Sequence, residues 1–337
     1  MRNLLIALVL LQTVSSGIAA AATDIAPGFG AWLDEVRKEA LERGIKPNIV
    51  RTALAGIKPV RRIIKHDRNQ AEFKLTLDIY QKRVVTPRNI KRGQKMARRH
   101  ADLLKAVAEK YGVQPRFILA IWGIETRFGA VTANMPLIPA VATLAFDRRR
   151  SKYFRAQLFA ALTMLDRGFI ELKNLKGSWA GAMGQPQFMP SSYVAYAQDF
   201  DGDGRRDIWN NTGDVLASIA NYLARHGWRD GLTWGRAVTL PAGLAARLGP
   251  PGRRASSGCR ARTSQSKKLA DWQVLGVRRA DGADLPTRDL DAVLVLPSGA
   301  SGPAFLVYRN YAAIMGYNCA HLYALTVGVL SDRIRGG

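Results

Sequence analysis

Residues 177–209 read GSWAGAMGQPQFMPSSYVAYAQDFDGDGRRDIW. Small residues at Gly181, Ala182 and Gly184 let a backbone come close to an extended polymer. Gln187, Ser191 and Ser192 offer neutral hydrogen-bonding groups suited to sugar hydroxyls and acetamides. The same residues also spell a tight glycine turn entering a helix at Pro190, and residue chemistry alone leaves both readings open.

The second half of the stretch is acidic. Asp199, Asp201, Asp203, Gly204 and Asp207 fall at positions 1, 3, 5, 6 and 9 of an EF-hand-like loop (199–210), with the backbone of Arg205 at position 7. Position 12, where a bidentate Glu belongs, is Asn210, and Asp214 just beyond it is a candidate for the missing carboxylate. An Asp/Gly turn held by Asx hydrogen bonds, with no metal, accounts for the same residues.

Working upstream, FILAIWGIETRFGA (117–130) carries one carboxylate in an apolar run. Glu125 stands seven residues after Ile118, four after Ile121, three after Trp122 and three before Phe128, so on a helix these share its face. Such a setting desolvates a carboxylate and raises its pKa, which suits a general acid that protonates the leaving oxygen of a glycosidic bond. An ion pair with Arg127 or a more distant arginine is the competing reading.

Further out, apolar residues recur at helical spacing through FGAWLDEVRKEALERG, NIVRTALAG, AEFKLTLDIYQKRV and RNIKRGQKMARRHADLLKAVAEKYG, so a helical lobe is expected over about 27–110. A core follows over about 111–235, including the helical run DVLASIANYLARHGW. AVTLPAGL and DLDAVLVLPSG then mark a small β-containing part over about 236–302, and YRNYAAIMGYNCAHLYALTVGVLSDRI returns to helical spacing over about 303–337.

The first residues, MRNLLIALVLLQTVSSGIAAAATD, combine Arg2, an apolar run and small residues ending near Ala22. They read as a signal peptide over 1–22, too short to span a membrane and with no cysteine near the cut to carry a lipid. Cys259 and Cys319 either form one bridge or remain two thiols. The 337 residues carry 50 Lys+Arg against 26 Asp+Glu, a formal charge of +24, which draws polyanions. An exported chain without a nucleic-acid motif meets wall carboxylates rather than nucleic acid, and a merely soluble basic surface explains the charge equally well.

Three blocks resemble the membrane-bound lytic transglycosylase B family of the lysozyme-like superfamily: IWGIETRFGA, the stretch quoted first, and GPAFLVYRNYAAIMGYNCAHLYALTVGVL with LGVRRADG before it. The resemblance implies a mainly α (α+β) fold, with a lysozyme-like catalytic core, an extra helical lobe and a small strand-bearing subregion. It implies cleavage of the β-1,4 bond between N-acetylmuramic acid and N-acetylglucosamine in peptidoglycan, with Glu125 as acid and then base and a 1,6-anhydro end as product. Tyr80, Ser178, Gln187, Tyr317, Asn318 and Tyr323 are implied to line the substrate cleft. No catalytic cofactor is implied, and the acidic loop would hold one structural Ca²⁺. The expected partners are glycan strands and wall-synthesis proteins, in the periplasm or outside the cell. Cys319 and Ala320 stand where the family commonly has Arg-Ser. A hydrolytic muramidase and a non-catalytic calcium-dependent wall-binding protein are the alternatives.

Overall fold

The computed structural model describes residues 28–68, 75–249, 251–255, 259 and 261–335. The leader read over 1–22 lies outside them. In chain order the helices are α1 (Phe29–Glu42), α2 (Pro47–Ala53), α3 (Arg61–Arg68), α4 (Leu77–Val84), α5 (Pro87–Arg99), α6 (Ala101–Tyr111), α7 (Pro115–Thr126), α8 (Leu137–Phe146), α9 (Ser151–Asp166), α10 (Pro190–Tyr196), α11 (Thr212–Arg225), α12 (Leu244–Arg247), α13 (Leu269–Val274), α14 (Arg309–Tyr317) and α15 (His321–Arg335). Strands are short: β1 (Met135–Pro136), β2 (Lys176–Gly177), β3 (Gly235–Thr239), β4 (Arg253–Arg254), β5 (Arg262–Thr263), β6 (Lys267–Lys268), β7 (Arg278–Arg279), β8 (Asp291–Val295) and β9 (Ala304–Val307).

Local chemistry accounts for many helix starts. Thr76 and Thr86 accept the N–H groups of Ile79 and Asn89 at α4 and α5, and proline opens α2, α5 and α10, where a missing N–H costs nothing. The run from 88 to 112 is two helices, since the chain leaves helical geometry at His100. No single helix among the described residues is long and apolar enough to cross a membrane.

The chain forms two compact units, one of 28–68 with Glu125–Ser218, the other of 75–124 with 219–335. In the first, α8 packs on α9, which also receives α2 and α10, while α3 packs on α8. Ile63, Ala140, Leu144, Ala145 and Phe154 form a buried cluster there, with Trp32 and Trp179 against it. Asp67, at the end of α3, is buried and held by Arg149 and Arg150.

In the second unit α15 packs on α4, α5 and α14, and α14 and α15 meet at a bend of 117°. An antiparallel sheet runs β6-β8-β9-β3-β7, with Ala237 opposite Phe305 and Leu294 opposite Leu306. Its Val238, Leu294 and Leu306 pack in one buried cluster with Leu269 and Trp272 of α13. Between β3 and β6 the chain forms the separate β4–β5 pair, and Cys259 is bonded to Cys319 with Cα atoms 5.4 Å apart. The sequence left that pairing open, and the fold closes it.

Candidate functional site

Glu125 is the penultimate residue of α7 and is half-buried, and Ile118, Ile121 and Trp122 are buried as its helical face requires. Phe128 departs from the expected face because the helix ends at Thr126. Arg127, Phe128 and Gly129 then run at φ 53°, 59° and 74°, three left-handed residues in succession. Thr126 organises this turn, its buried hydroxyl accepting the N–H of Gly129 at 3.2 Å and donating to the Gln185 carbonyl at 2.9 Å. The residue beside Glu125 is thus bonded to the glycine-rich loop, two residues before Gln187.

That loop is a tight turn. The Ser178 N–H donates to the Ala182 carbonyl at 2.7 Å, and the Ala182 N–H donates to the Ser178 hydroxyl at 3.0 Å, which buries Ser178. Gly184 is required where it stands, because a Cβ there would meet the Ile208 carbonyl at 2.7 Å. Gln187 sits at φ 53° and is half-buried, and its Nε2 donates to the Gly184 carbonyl at 2.8 Å.

The second unit gathers the remaining candidates. The Tyr317 and Tyr323 rings are near-parallel with centroids 6.4 Å apart. Asn318, next to Tyr317 at the end of α14, is exposed, and Tyr80 is buried on α4, the helix packed on α15. The ring series continues through two residues that the sequence reading passed over. Tyr222 lies 4.7 Å from Tyr317 and stacks on His226 at 4.0 Å, with its hydroxyl donating to the Gly316 carbonyl at 2.7 Å. Their spacing of four, with His226 one residue past the end of α11 and its N–H still bonded to the Tyr222 carbonyl, was a usable signal, since it puts both rings on one side of the helix.

In the acidic loop, Asp199, Asp201 and Asp203 each bring one oxygen within 4.8 Å of the other two. The loop is knit by its own carboxylates. Asp199 accepts the N–H groups of Gly202 and Gly204, Asp203 that of Arg205, and Asp207 those of Trp209 and Asn210. Asn211 donates to Asp201 at 2.6 Å and lowers its pKa. Asp214 is buried beneath, one oxygen on the Phe200 N–H at 2.7 Å and the other on the Asp207 N–H at 2.6 Å. Burial raises the Asp214 pKa, with the charges of Asp201 and Asp199 adding to the rise. Converging carboxylates of this kind suit a hard cation with oxygen ligands. Asn210 spends its amide on Asp207 and supplies no carboxylate.

The Transglycosylase SLT domain family matches residues 28–332. Over 171 residues the chain is 42% identical to Membrane-bound lytic murein transglycosylase B of Escherichia coli (strain K12), and the match takes in 49% of this chain and 47% of that protein. The chain thus spans about half the length of this curated relative. SltB3 from Pseudomonas aeruginosa, in complex with NAG-NAM-pentapeptide, matches with a TM-score of 0.83 at 41% identity, covering 92% of this chain and 80% of that one. The Escherichia coli lytic transglycosylase Slt35, in complex with calcium, matches with a TM-score of 0.74 at 28% identity over 92% of this chain and 93% of that one.

A mainly α chain with a small sheet, matching these structures along most of its length, has the lysozyme-like fold of the lytic transglycosylases. The chain belongs to the Transglycosylase SLT domain family.

Proposed function

We propose that this chain is a lytic transglycosylase that cleaves the β-1,4 bond between N-acetylmuramic acid and N-acetylglucosamine in peptidoglycan. The observation that carries the proposal is the placement of Glu125, a half-buried carboxylate at the end of α7, beside a turn bonded to the glycine-rich loop. One carboxylate serves twice. Protonated, it gives its proton to the glycosidic oxygen as the C1–O bond breaks; the substrate's acetamido oxygen stabilises the cation that develops at C1. The muramic 6-hydroxyl then attacks C1 and returns its proton to Glu125, which closes the 1,6-anhydro ring without consuming water.

Ser178 and Gln187 from the glycine-rich loop, and Tyr80, Tyr317, Asn318 and Tyr323, are the residues proposed to hold the glycan. SltB3 binding NAG-NAM-pentapeptide supports a peptidoglycan ligand for this fold. Asp199, Asp201 and Asp203, with Asp207 and the Arg205 carbonyl, would hold one Ca²⁺, and Asp214 would brace the loop. The converging oxygens and the calcium complex of Slt35 support that reading. The ion would stiffen the loop and takes no part in bond cleavage. Export through a leader over 1–22 to the periplasm or beyond follows from the same reading.

Digestion of purified peptidoglycan followed by mass measurement tests the proposal. Anhydro ends, lighter than reducing ends by one water, are expected from the wild type, and Glu125→Gln should release almost none while still binding the polymer. Reducing ends alone would identify a hydrolase, and full turnover by Glu125→Gln would remove the assignment.

A further inference from the structure

Gln185 belongs to neither the expected substrate-binding set nor the acidic loop, yet it joins three segments of the first unit. Its main-chain N–H donates to the Ile208 carbonyl at 2.8 Å, and its Nε2 donates to the Trp209 carbonyl at 2.8 Å. Both anchors lie in the last positions of the acidic loop. Its own carbonyl accepts the Thr126 hydroxyl at 2.9 Å. Its side-chain amide lies so close over Gly129 that no Cβ fits there. Gln185 and Thr126 are both buried, so these contacts are made largely away from water.

What they hold is the end of α7. Arg127 and Phe128 occupy left-handed backbone conformations that side chains with a Cβ resist, and such geometry persists only where surroundings over-determine it. The Thr126 hydroxyl and the amide over Gly129 supply that restraint on either side of the strained pair. The last helical turn cannot rotate without breaking them, and Glu125 is on that turn. A displacement of about 1 Å in a reacting group can cost on the order of a hundredfold in rate.

We propose that Gln185 is a positioning residue for Glu125, acting through the Thr126 hydroxyl and the left-handed turn at 127–129. It ties the direction of the carboxyl to the end of the acidic loop. The inference rests on the reading of Glu125 as the acid/base.

The test compares Thr126→Val, Thr126→Ser and Gln185→Leu with Glu125→Gln on solubilised glycan strands, with melting curves recorded for each. Thr126→Val keeps the volume and loses the hydroxyl, and it should lower kcat by roughly ten- to a hundredfold with little change in KM. It should also move the pH optimum, because the carboxyl sits in altered surroundings. Thr126→Ser, which keeps the hydroxyl, should restore most of kcat and the wild-type pH profile. If Thr126→Val does not fold, Gln185→Leu carries the same test, since it leaves the Thr126 hydroxyl its acceptor and loses only the side-chain anchor. A folded Thr126→Val or Gln185→Leu protein with wild-type kcat and pH profile overturns the inference. So does a loss of activity that only follows the folded fraction, with the profile unmoved. Full turnover by Glu125→Gln removes the catalytic reading instead, and a dead Glu125→Gln beside an unaffected Thr126→Val removes only the role of Gln185.

Discussion

His321 stands between two oxygens, its Nδ1 2.7 Å from the Tyr311 hydroxyl and its Nε2 2.9 Å from the Arg262 carbonyl. A carbonyl only accepts, so Nε2 carries the proton and Nδ1 accepts from the tyrosine, whose own ionisation is suppressed by burial. Burial lowers the His321 pKa below its ordinary 6.5, and the Arg262 carbonyl offsets part of that. Well above pH 6.5 folded and unfolded chains both keep the ring neutral. As pH falls below that, the unfolded chain takes up a proton that the folded one resists, so stability drops. Melting temperature should therefore fall between pH 7.5 and 5, and the fall should shrink in His321→Gln. An equal fall in the variant would assign it to other groups. Glu125 was legible at this scale because its neighbours at helical spacing are apolar. Gln185 was not, because its partners Thr126, Ile208 and Trp209 are 59, 23 and 24 positions away by number and no local pattern links them.

Helices were readable where one face is apolar, as in α1, or where a capping residue marks the start, as Thr86 does for α5. Their contacts were not. The Trp234 indole packs so closely on Gly328 of α15 that no Cβ fits, and its Nε1 donates to Asp332 at 3.0 Å. Gly328→Ala should cost about 1–3 kcal/mol or more through overpacking, measured by denaturant unfolding, although alanine favours the helix itself. In the first unit, Asp67, the penultimate residue of α3, pairs with two arginines from the segment before α9, and Arg149 also donates to its main-chain carbonyl at 2.8 Å. Asp67→Asn removes the carboxylate that both guanidinium groups share. They are half-exposed, so the expected loss is roughly 1–3 kcal/mol, less than for a wholly buried pair. A wild-type unfolding midpoint would mean that water satisfies both arginines. Helices α8 and α9 are apolar on most of their surface, and period alone singles out no face in them.

Across the whole chain, the Cys259–Cys319 bridge closes a loop of 60 residues. Chain-entropy reasoning puts its contribution at about 4 kcal/mol, so reduction or the double serine variant should lower the unfolding free energy by up to that amount. The acidic loop offers a second check. Ca²⁺ at about a hundred times its dissociation constant should add roughly 2.7 kcal/mol, seen as a rise in melting temperature that Asp201→Asn abolishes. No rise in the wild type would leave the loop a hydrogen-bonded turn. The sequence by itself determined the helical character of the chain, the strands near 237 and 291, the lone carboxylate in an apolar helix and the spacing of the acidic loop. Each is a short-range pattern, set by backbone period or by ligand order along a few residues. Only the tertiary structure decided that Cys259 meets Cys319, that α7 stops at Thr126 so that Phe128 leaves the face of Glu125, that Tyr222 and His226 extend the tyrosine pair, and that Gln185 holds the turn beyond the carboxylate. Those depend on packing between residues far apart in number, which the chain settles only by burying them together.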